Sequence, residues 1–441
     1  MSRKLTVALP MILGMAAFAG ADDWPQWLGP NQAATLNERG IVTSIPAAGL
    51  PVKWRAECGL GYSGPAVVDG KVFLTDYVVR EGEIQNSPSG RTSLQGSERV
   101  RCYSVDLGQL LWMHEDDTPY NVSYAAGPRA TPTVNDGHVY TLGAEGRLLC
   151  LAAGDGSVVW QHELKPEYGV ESPLWGFSAS VLIDGDLAIV MVGGDGHAVV
   201  AFDKRTGAEK WRALSAADAG YSTPTIIEQA GQRQLIAWLP TQIHSLDPAS
   251  GKVYWSVNLK PDYGMSIMTP RIEGNRLFAS GIGNVGAVLN LAEDTPAAKV
   301  GWTGKGTTAM YCANSTPLIE QGIIYGVDCR TGHLVAARLS NGERLWESKD
   351  PTIGKDERRG SHGTAYLVKH GEWHFIFSET GDLILAKLSA EKYEELGRFH
   401  LLDPTNECFG RPVVWSHPAF ADRHVFARND RELVCVSIAA E

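Results

Sequence analysis

The sequence predicts an all-β fold, an eight-bladed β-propeller of four-stranded blades, from three observations. Tryptophans recur at intervals of 44 to 51 residues, as Trp112, Trp160, Trp211, Trp255, Trp302 and Trp346. A turn pair precedes most of them, as Thr206-Gly207 does in "AFDKRTGAEKW" and Ser250-Gly251 in "HSLDPASGKVYW". Short runs rich in Val, Ile, Leu and Tyr lie between Gly, Asp and Asn turns, which is typical of antiparallel strands. Four strands in a period of roughly 45 residues are typical of a propeller blade.

Residues 221–255 show how one unit divides into strands. "TPTIIE", "QLIAWL", "IHSLD" and "KVYW" follow one another, separated by short polar turns. In the last turn, Asp247 can accept backbone N–H groups and Gly251 can adopt a positive φ. The ring of Trp255 is then expected to pack between neighbouring blades. The recurring motif is therefore interpreted as part of the architecture rather than as a binding site.

The two ends of the chain predict how the ring closes. The last unit supplies three strands, whereas Trp54 in "LPVKWRAE" marks a fourth strand whose first three are missing. Pairing this N-terminal strand with the C-terminal blade gives eight blades and removes both open sheet edges. An insert at about 78–98 is expected in a hairpin of the first blade. The stretch "LSAEKYEELG" (388–397) looks helical but falls where a fourth strand should be.

Three regions are expected along the chain. Residues 1–21 read as a signal peptide, with Arg3 and Lys4 before a broken apolar run and small residues at the expected cleavage point. Residues 22–50 are predicted to form an N-terminal extension that packs on or near the propeller, and 51–441 a single propeller. Nothing after residue 21 has the roughly 18 apolar residues of a membrane span. We therefore expect an exported protein, periplasmic or associated with the cell envelope.

Composition excludes several kinds of partner and site. The formal net charge of −11 argues against nucleic acid. The seven cysteines include no C-x-x-C pair, and Cys102, Cys150 and Cys435 fall inside apolar strand patterns, as expected of small buried side chains. "GIGNVG" (281–286) and "HGEWH" (370–374) are interpreted as hairpins, the latter with surface histidines, because neither precedes or forms a helix. We expect a monomer.

The repeat "STP…SLDPASGKVYW" and the related "DKRTGAEKW" resemble the pyrroloquinoline quinone (PQQ) repeat of quinoprotein alcohol dehydrogenases and their non-catalytic relatives. The resemblance covers about residues 54–438 and implies the fold more strongly than the chemistry. The relatives include quinone-dependent dehydrogenases, the propeller subunit of the outer-membrane-protein assembly machinery, and exported bacterial propellers. The opening "WPQWLGPN" (24–31) is similar to the "WPQWRGPN" start of the exported group, with Leu28 in place of Arg.

The resemblance leaves three functions open. Quinone-dependent enzymes of this family have adjacent cysteines, and this sequence has no Cys-Cys pair and no haem motif. We therefore expect an exported non-catalytic propeller that serves as a binding or scaffolding module, with no catalytic residue, cofactor or metal. The alternatives are a PQQ-dependent oxidoreductase-like enzyme and an envelope-assembly subunit for outer-membrane-protein insertion.

A ligand of such a propeller is expected where the repeats differ. Loops before the innermost strands and the hairpins on the same face carry aromatic and arginine side chains, which suit a protein or carbohydrate-like ligand. The predicted site residues are Tyr62, Arg129, Trp175, Phe177, Tyr221, Arg330 and Trp415. The alternative interpretation is that these aromatic residues only pack the rim of the channel or the segment 22–50.

Overall fold

A computed structural model describes residues 22–354 and 360–440 of the chain. Eight four-stranded antiparallel sheets follow one another along this chain, and the predicted eight-bladed propeller is confirmed. The predicted signal peptide lies outside the described residues. Cys102, Cys150 and Cys435 are buried in the strands, as expected. Within the described ranges, no helix has the length and hydropathy of a membrane span.

The strands are numbered in chain order. The first, β1 (Val52–Glu57), is followed by blade 1, which contains β2 (Ala66–Val68), β3 (Lys71–Glu81), β4 (Thr92–Ser104) and β5 (Leu110–Asp117), with β6 (Tyr120–Val122) paired to β4. Blade 2 contains β7 (Thr133–Asn135), β8 (His138–Leu142), β9 (Arg147–Ala152) and β10 (Val158–Glu163). Blade 3 contains β11 (Leu182–Asp184), β12 (Leu187–Met191), β13 (Val199–Asp203) and β14 (Glu209–Ala213). Blade 4 contains β15 (Thr225–Gln229), β16 (Gln232–Trp238), β17 (Gln242–Leu246) and β18 (Val253–Asn258).

The second half of the ring has the same plan. Blade 5 contains β19 (Arg271–Glu273), β20 (Arg276–Gly281), β21 (Val285–Leu291) and β22 (Ala298–Thr303). Blade 6 contains β23 (Leu318–Glu320), β24 (Ile323–Asp328), β25 (His333–Arg338) and β26 (Arg344–Ser348). Blade 7 contains β27 (Ala365–His370), β28 (Trp373–Ser378), β29 (Asp382–Leu388) and β30 (Tyr393–His400). A ribbon of β31 (Asn406–Cys408) and β32 (Arg411–Val413) precedes β33 (Ala419–Ala421), β34 (His424–Arg428) and β35 (Glu432–Ser437).

Blade 8 closes the ring by pairing β1 with β35. The sheet order is β1-β35-β34-β33, and Arg55 lies opposite Val434 in the antiparallel register. The N-terminal strand thus becomes the outer strand of the C-terminal blade, as the sequence predicted. Because the last blade takes its outer strand from the other end of the chain, the two ends of the propeller hold each other in place.

The repeated Gly and Trp form one contact that joins successive blades. The indole N–H of Trp54 donates to the carbonyl of Val105 in the next blade at 2.6 Å. Gly108 lies under the same ring with a φ of 65°, and a Cβ there would come within 2.6 Å of the indole. The same arrangement recurs in the pairs Trp112–Gly156, Trp160–Gly207, Trp211–Gly251 and Trp302–Gly342. The turn therefore requires glycine both for its backbone conformation and for the space that the tryptophan fills.

Two local features of the structure were not predicted from the sequence, one short helix and one buried histidine. The helix-like stretch 388–397 contains the end of β29, a turn and the start of β30, which pairs with β29 as the fourth strand expected there. One short helix, α1 (Leu164–Tyr168), was not predicted, because five residues are too few to show helical periodicity. "HGEWH" does form the predicted β27–β28 hairpin, but His374 is buried there and bonds through Nε2 to Glu320 at 2.9 Å. The hairpin predicted for "GIGNVG" is confirmed by the β20–β21 pairing.

The N-terminal segment (22–50) crosses the propeller axis. Trp24 pairs with Val67 in blade 1, and Arg271 of blade 5 donates to the carbonyl of Gln32 at 2.5 Å. Farther along, the N–H of Leu36 donates to Lys369 of blade 7. Blades 1 and 5 lie on opposite sides of an eight-bladed ring. The segment therefore spans the central channel, and its residues become part of the channel interior.

Glu38 makes the attachment of the N-terminal segment sensitive to pH. Its Oε2 accepts the N–H of Arg423 at 2.6 Å, while Oε1 is buried without a partner. Burial raises the pKa of Glu38 to about 7 from its ordinary value of 4.5. The folded state therefore favours the protonated form, and stability falls as the pH rises from 4.5 through 7.

Glu38→Gln is expected to raise the free energy of unfolding by about 1–2 kcal/mol at pH 8, and to change it little at pH 4.5, because glutamine can accept the same N–H without a buried charge. Urea denaturation at the two pH values measures the difference. Glu372→Gln, in the exposed β27–β28 turn, is the matched control and should have no effect at either pH. An equal stabilisation by Glu38→Gln at both pH values would contradict the assignment.

Candidate functional site: an aromatic cavity in the propeller channel

A cavity of about 550 Å³ lies in the channel. Its walls come from the loops before the innermost strands of several blades, and Trp27 of the N-terminal segment also lines it. Trp27 is held by a hydrogen bond from its indole N–H to Thr269 Oγ1 at 3.0 Å, and its ring packs against His417 at 4.9 Å between centroids. Because the N-terminal segment crosses the channel at this level, Trp27 and His417 form the floor of the cavity.

Aromatic rings provide most of the cavity surface. Trp175 meets Tyr221 edge to face with centroids 5.6 Å apart, and Trp415 lies 6.2 Å from Tyr124. Further rings come from Tyr62, Tyr263, Tyr366 and Phe409. Aromatic faces and edges at these separations attract one another and also present flat apolar surfaces to a ligand. The cavity therefore suits a ligand with a flat apolar body.

A buried carboxylate fixes one wall of the cavity. Glu379 accepts hydrogen bonds from the indole N–H of Trp415 at 3.1 Å, from Arg411 Nε at 2.6 Å and from the N–H of Thr364 at 2.8 Å. Its side chain is 2% exposed. A carboxylate that accepts several hydrogen bonds holds its donors in fixed orientations. Glu379 thus positions the Trp415 ring without itself lining the cavity.

Arg129 is the one Lys, Arg, Asp or Glu among the described residues that line the cavity. Its guanidinium carbon lies 5.2 Å from the centroid of the Tyr62 ring, which is a cation–π contact. It donates to the carbonyls of Gly127 and Tyr124, and to that of Ser123 at 2.8 Å. Carbonyl groups orient the guanidinium but do not neutralise its charge.

The two histidines of the lining are held in the neutral form. Burial lowers the pKa of His417 to about 4, and burial together with the charge of Arg411 lowers the pKa of His362. Neutral histidines add no charge to the cavity near pH 7. Arg129 is therefore the source of formal charge within the lining.

Five of the seven predicted site residues meet at the cavity: Tyr62, Arg129, Trp175, Tyr221 and Trp415. Phe177 does not line it, because its ring turns into the core and packs over Gly146. Arg330 does not line it either: it lies in the β24–β25 hairpin beside Tyr311 and donates to the carbonyl of Gly306.

Sequence reasoning missed part of the lining: Trp27, Tyr263, Tyr366, Phe409 and His417. The aromatic opening "WPQW" was a signal for Trp27, since an extension predicted to pack near the propeller could place its aromatic residues in the channel. The insert at 78–98 contributes Pro88 and Ser89 to the rim.

The cavity does not fit the quinone cofactor of related enzymes. In the enzymes that use pyrroloquinoline quinone, a metal beside the cofactor is held by acidic and amide side chains. The lining offers Asn314 and Arg129 but no carboxylate. Across residues 22–354 and 360–440, no group of three or more His, Cys, Asp or Glu is placed to hold a metal ion. The side chains of the cavity therefore support no reaction step through this cofactor.

The fold and the repeat define a propeller of the PQQ-repeat class. A family model described as "Outer membrane protein assembly factor BamB" matches residues 96–348, which are over half of the chain. The chain therefore belongs to this family. No curated protein matches the sequence.

Solved structures extend the similarity in fold. BamB from Moraxella catarrhalis has a TM-score of 0.53 and 16% identity, and the match covers 82% of this chain and 98% of that one. A quinohemoprotein alcohol dehydrogenase from Comamonas testosteroni has a TM-score of 0.59 and 13% identity, covering 95% and 81%. A europium-containing methanol dehydrogenase has a TM-score of 0.59 and 12% identity, covering 94% and 89%. At these identities the similarity concerns the fold, and function depends on the site.

Proposed function

We propose that this protein is a non-catalytic binding propeller of the bacterial envelope, and that its ligand occupies the aromatic cavity in the channel. The observation that carries the proposal is the closed floor, in which Trp27 turns an open channel into a cavity with aromatic walls. Concave, mostly apolar sites with a few placed polar groups are typical of small-ligand binding. Export through a signal peptide at residues 1–21 is part of the same proposal.

The residues of the cavity support binding rather than catalysis. The part of its lining that the structure describes contains no acidic general base, and burial lowers the pKa values of both histidines below their ordinary value. A general base works best with a pKa near the operating pH. Reconstitution with pyrroloquinoline quinone and Ca²⁺ is expected to give no dye-linked alcohol oxidation. Turnover that is lost on mutation of the cavity would overturn the proposal.

A neutral fluorescent probe tests whether the cavity binds ligands. N-phenyl-1-naphthylamine is expected to bind the wild-type chain with one equivalent and a rise in fluorescence. Ser178 lines the cavity, so Ser178→Trp places a large ring inside it and should abolish binding of the probe. Ser340→Trp, in the exposed turn between β25 and β26, is the matched control and should bind as the wild type does. Equal binding by both variants would refute the cavity as the site.

A second candidate function is a subunit of the machinery that inserts outer-membrane proteins. The family description and the similarity to BamB favour it. Affinity purification from envelope extract should then recover barrel-insertion components with the tagged protein. Recovery that persists in Ser178→Trp would place that contact outside the cavity, whereas no recovery would rule this candidate out.

A further inference from the structure

Hydroxyl groups in the cavity share one hydrogen-bonding arrangement. Ser180 Oγ accepts the N–H of Thr131 at 3.0 Å, and Thr223 Oγ1 accepts the N–H of Ser180 at 3.0 Å. Two blades farther on, Thr316 Oγ1 accepts the N–H of Thr269 at 3.1 Å. In each case a hydroxyl of one blade binds the backbone of the preceding blade, so the three hydroxyl groups are held around the channel.

These bonds leave three hydroxyl protons as donors. Ser180, Thr223 and Thr316 all line the cavity, and each is more than nine-tenths buried. Within the described chain none of the three hydroxyls donates to a protein acceptor. A hydroxyl offers one donor and can accept hydrogen bonds at the same oxygen. Each hydroxyl has one accepted bond and keeps both its proton and a second lone pair, and the proton can be donated to a ligand acceptor.

The charged groups of the cavity also favour a ligand that accepts hydrogen bonds, and in particular an anion. Arg129 forms no ion pair with a carboxylate in the described residues, and its hydrogen bonds go to carbonyl groups. No carboxylate among the described residues lines the cavity, and both histidines are neutral near pH 7. Glu98 interacts electrostatically with Arg129 from behind the lining, but burial raises the pKa of Glu98 and so disfavours its charged form. An anion that enters would therefore meet the positive charge of Arg129 and several donors, without a negative side chain among the described residues of the lining.

We propose that the cavity binds an aromatic carboxylate, with the flat ring between the aromatic walls and the carboxylate directed to Arg129 and to the hydroxyl donors of the two blades that follow it, Ser180 and Thr223. This inference rests on the proposed binding function and names its ligand class. A neutral ligand is less favoured than an anion, because it would leave the charge of Arg129 without a counter-charge among the described residues of the lining. The carboxylate can belong to a free aromatic acid or to the C-terminal aromatic residue of a peptide.

Calorimetry with two matched probes tests the preference on the wild-type chain. Naphthalene-2-carboxylate is expected to bind at least about tenfold more tightly than 2-naphthalenemethanol, which has the same ring but no charge. Arg129→Met should reduce this ratio by about tenfold. Arg212→Met, which removes a cation–π contact to Tyr168 at the surface, is the control and should keep the wild-type ratio. The ratio of the two affinities is informative because a loss of folded protein would reduce the binding of both probes equally and leave the ratio unchanged.

Removing a hydroxyl donor gives a second, independent test, in which the same ratio of affinities for the two naphthalene probes is measured. Thr223→Val removes a donor from the cavity and is expected to reduce the ratio about threefold to tenfold. Thr131→Val is the matched control, since Thr131 Oγ1 is buried without a partner and the residue does not line the cavity. The control should leave the ratio unchanged. Equal ratios in Thr223→Val, Arg129→Met and the wild type would overturn the assignment of the donors.

The outcomes separate this inference from the proposed function. If both naphthalene probes bind equally well and Ser178→Trp abolishes both, the cavity binds ligands but the carboxylate preference is wrong. If neither probe binds, nor N-phenyl-1-naphthylamine, the proposed function itself fails. N-acetyl-Gly-Phe as the free acid and as the amide identifies the source of the carboxylate. Tight binding of the acid alone supports a peptide C-terminus, and binding of naphthalene-2-carboxylate without either peptide supports a free acid.

Discussion

Glu379→Ala is expected to lower the free energy of unfolding by about 3–5 kcal/mol, because breaking a buried ion pair leaves its partner charge uncompensated. The substitution removes the acceptor for Arg411, Trp415 and the Thr364 N–H together. Guanidinium chloride denaturation measures the loss. The same variant should weaken binding of the naphthalene probes, since the Trp415 ring loses its hydrogen bond and with it a fixed orientation.

Glu343→Ala is the matched control for Glu379→Ala. Glu343 also pairs with an arginine, Arg338, at 3.0 Å, but both side chains are largely exposed. Exposed ion pairs contribute at most about 1 kcal/mol. Equal effects of the two substitutions would show that Glu379 is not the buried anchor that the structure indicates.

Trp54→Ala is expected to cost about 3–5 kcal/mol, the range for removing a large aromatic side chain from a packed core. Trp54 is 9% exposed, and its ring covers Gly108 of blade 1 while β1 completes blade 8. Loss of the Trp54 side chain should therefore weaken both the attachment of β1, which closes the ring, and the contact between blades 8 and 1. Denaturation monitored by circular dichroism gives the free energy, and limited proteolysis reports opening near β1.

Trp211→Ala is the internal comparison, because Trp211 makes the same contact over Gly251 without taking part in ring closure. Similar destabilisation by the two variants, with early proteolysis near β1 in Trp54→Ala alone, is the expected pattern. A cost below about 1 kcal/mol for Trp54→Ala beside a large cost for Trp211→Ala would contradict closure through β1.

The fold was predictable because its determinants are local and repeated. A glycine that supports a positive φ and makes room for a tryptophan recurs from blade to blade, so the blade period is visible in the sequence. The helix-like sequence of 388–397 has a physical cause. β30 is an outer strand with solvent on one side, so it tolerates a Glu-rich composition that is also typical of helices. Its pairing with β29, which is a tertiary contact, makes it a strand.

The cavity was only partly predictable because its floor depends on distant contacts. Tyr62, Tyr221 and Trp415 hold equivalent positions in their repeats, so their convergence follows from the fold. Phe177 shares the pattern, but its ring packs in the core. Gly146, in the turn between β8 and β9, has no side chain and leaves room for this ring. Trp27 reaches Thr269 across 242 residues of sequence, and no local pattern specifies that contact.

A crystal structure of the protein soaked with 6-bromonaphthalene-2-carboxylate tests the central claim most directly. The expected result is a bromine anomalous peak inside the cavity, with the carboxylate within hydrogen-bond distance of Ser180 or Thr223. A bromine peak confined to the outer surface, or a carboxylate pointing away from these hydroxyls towards solvent, would contradict the claim.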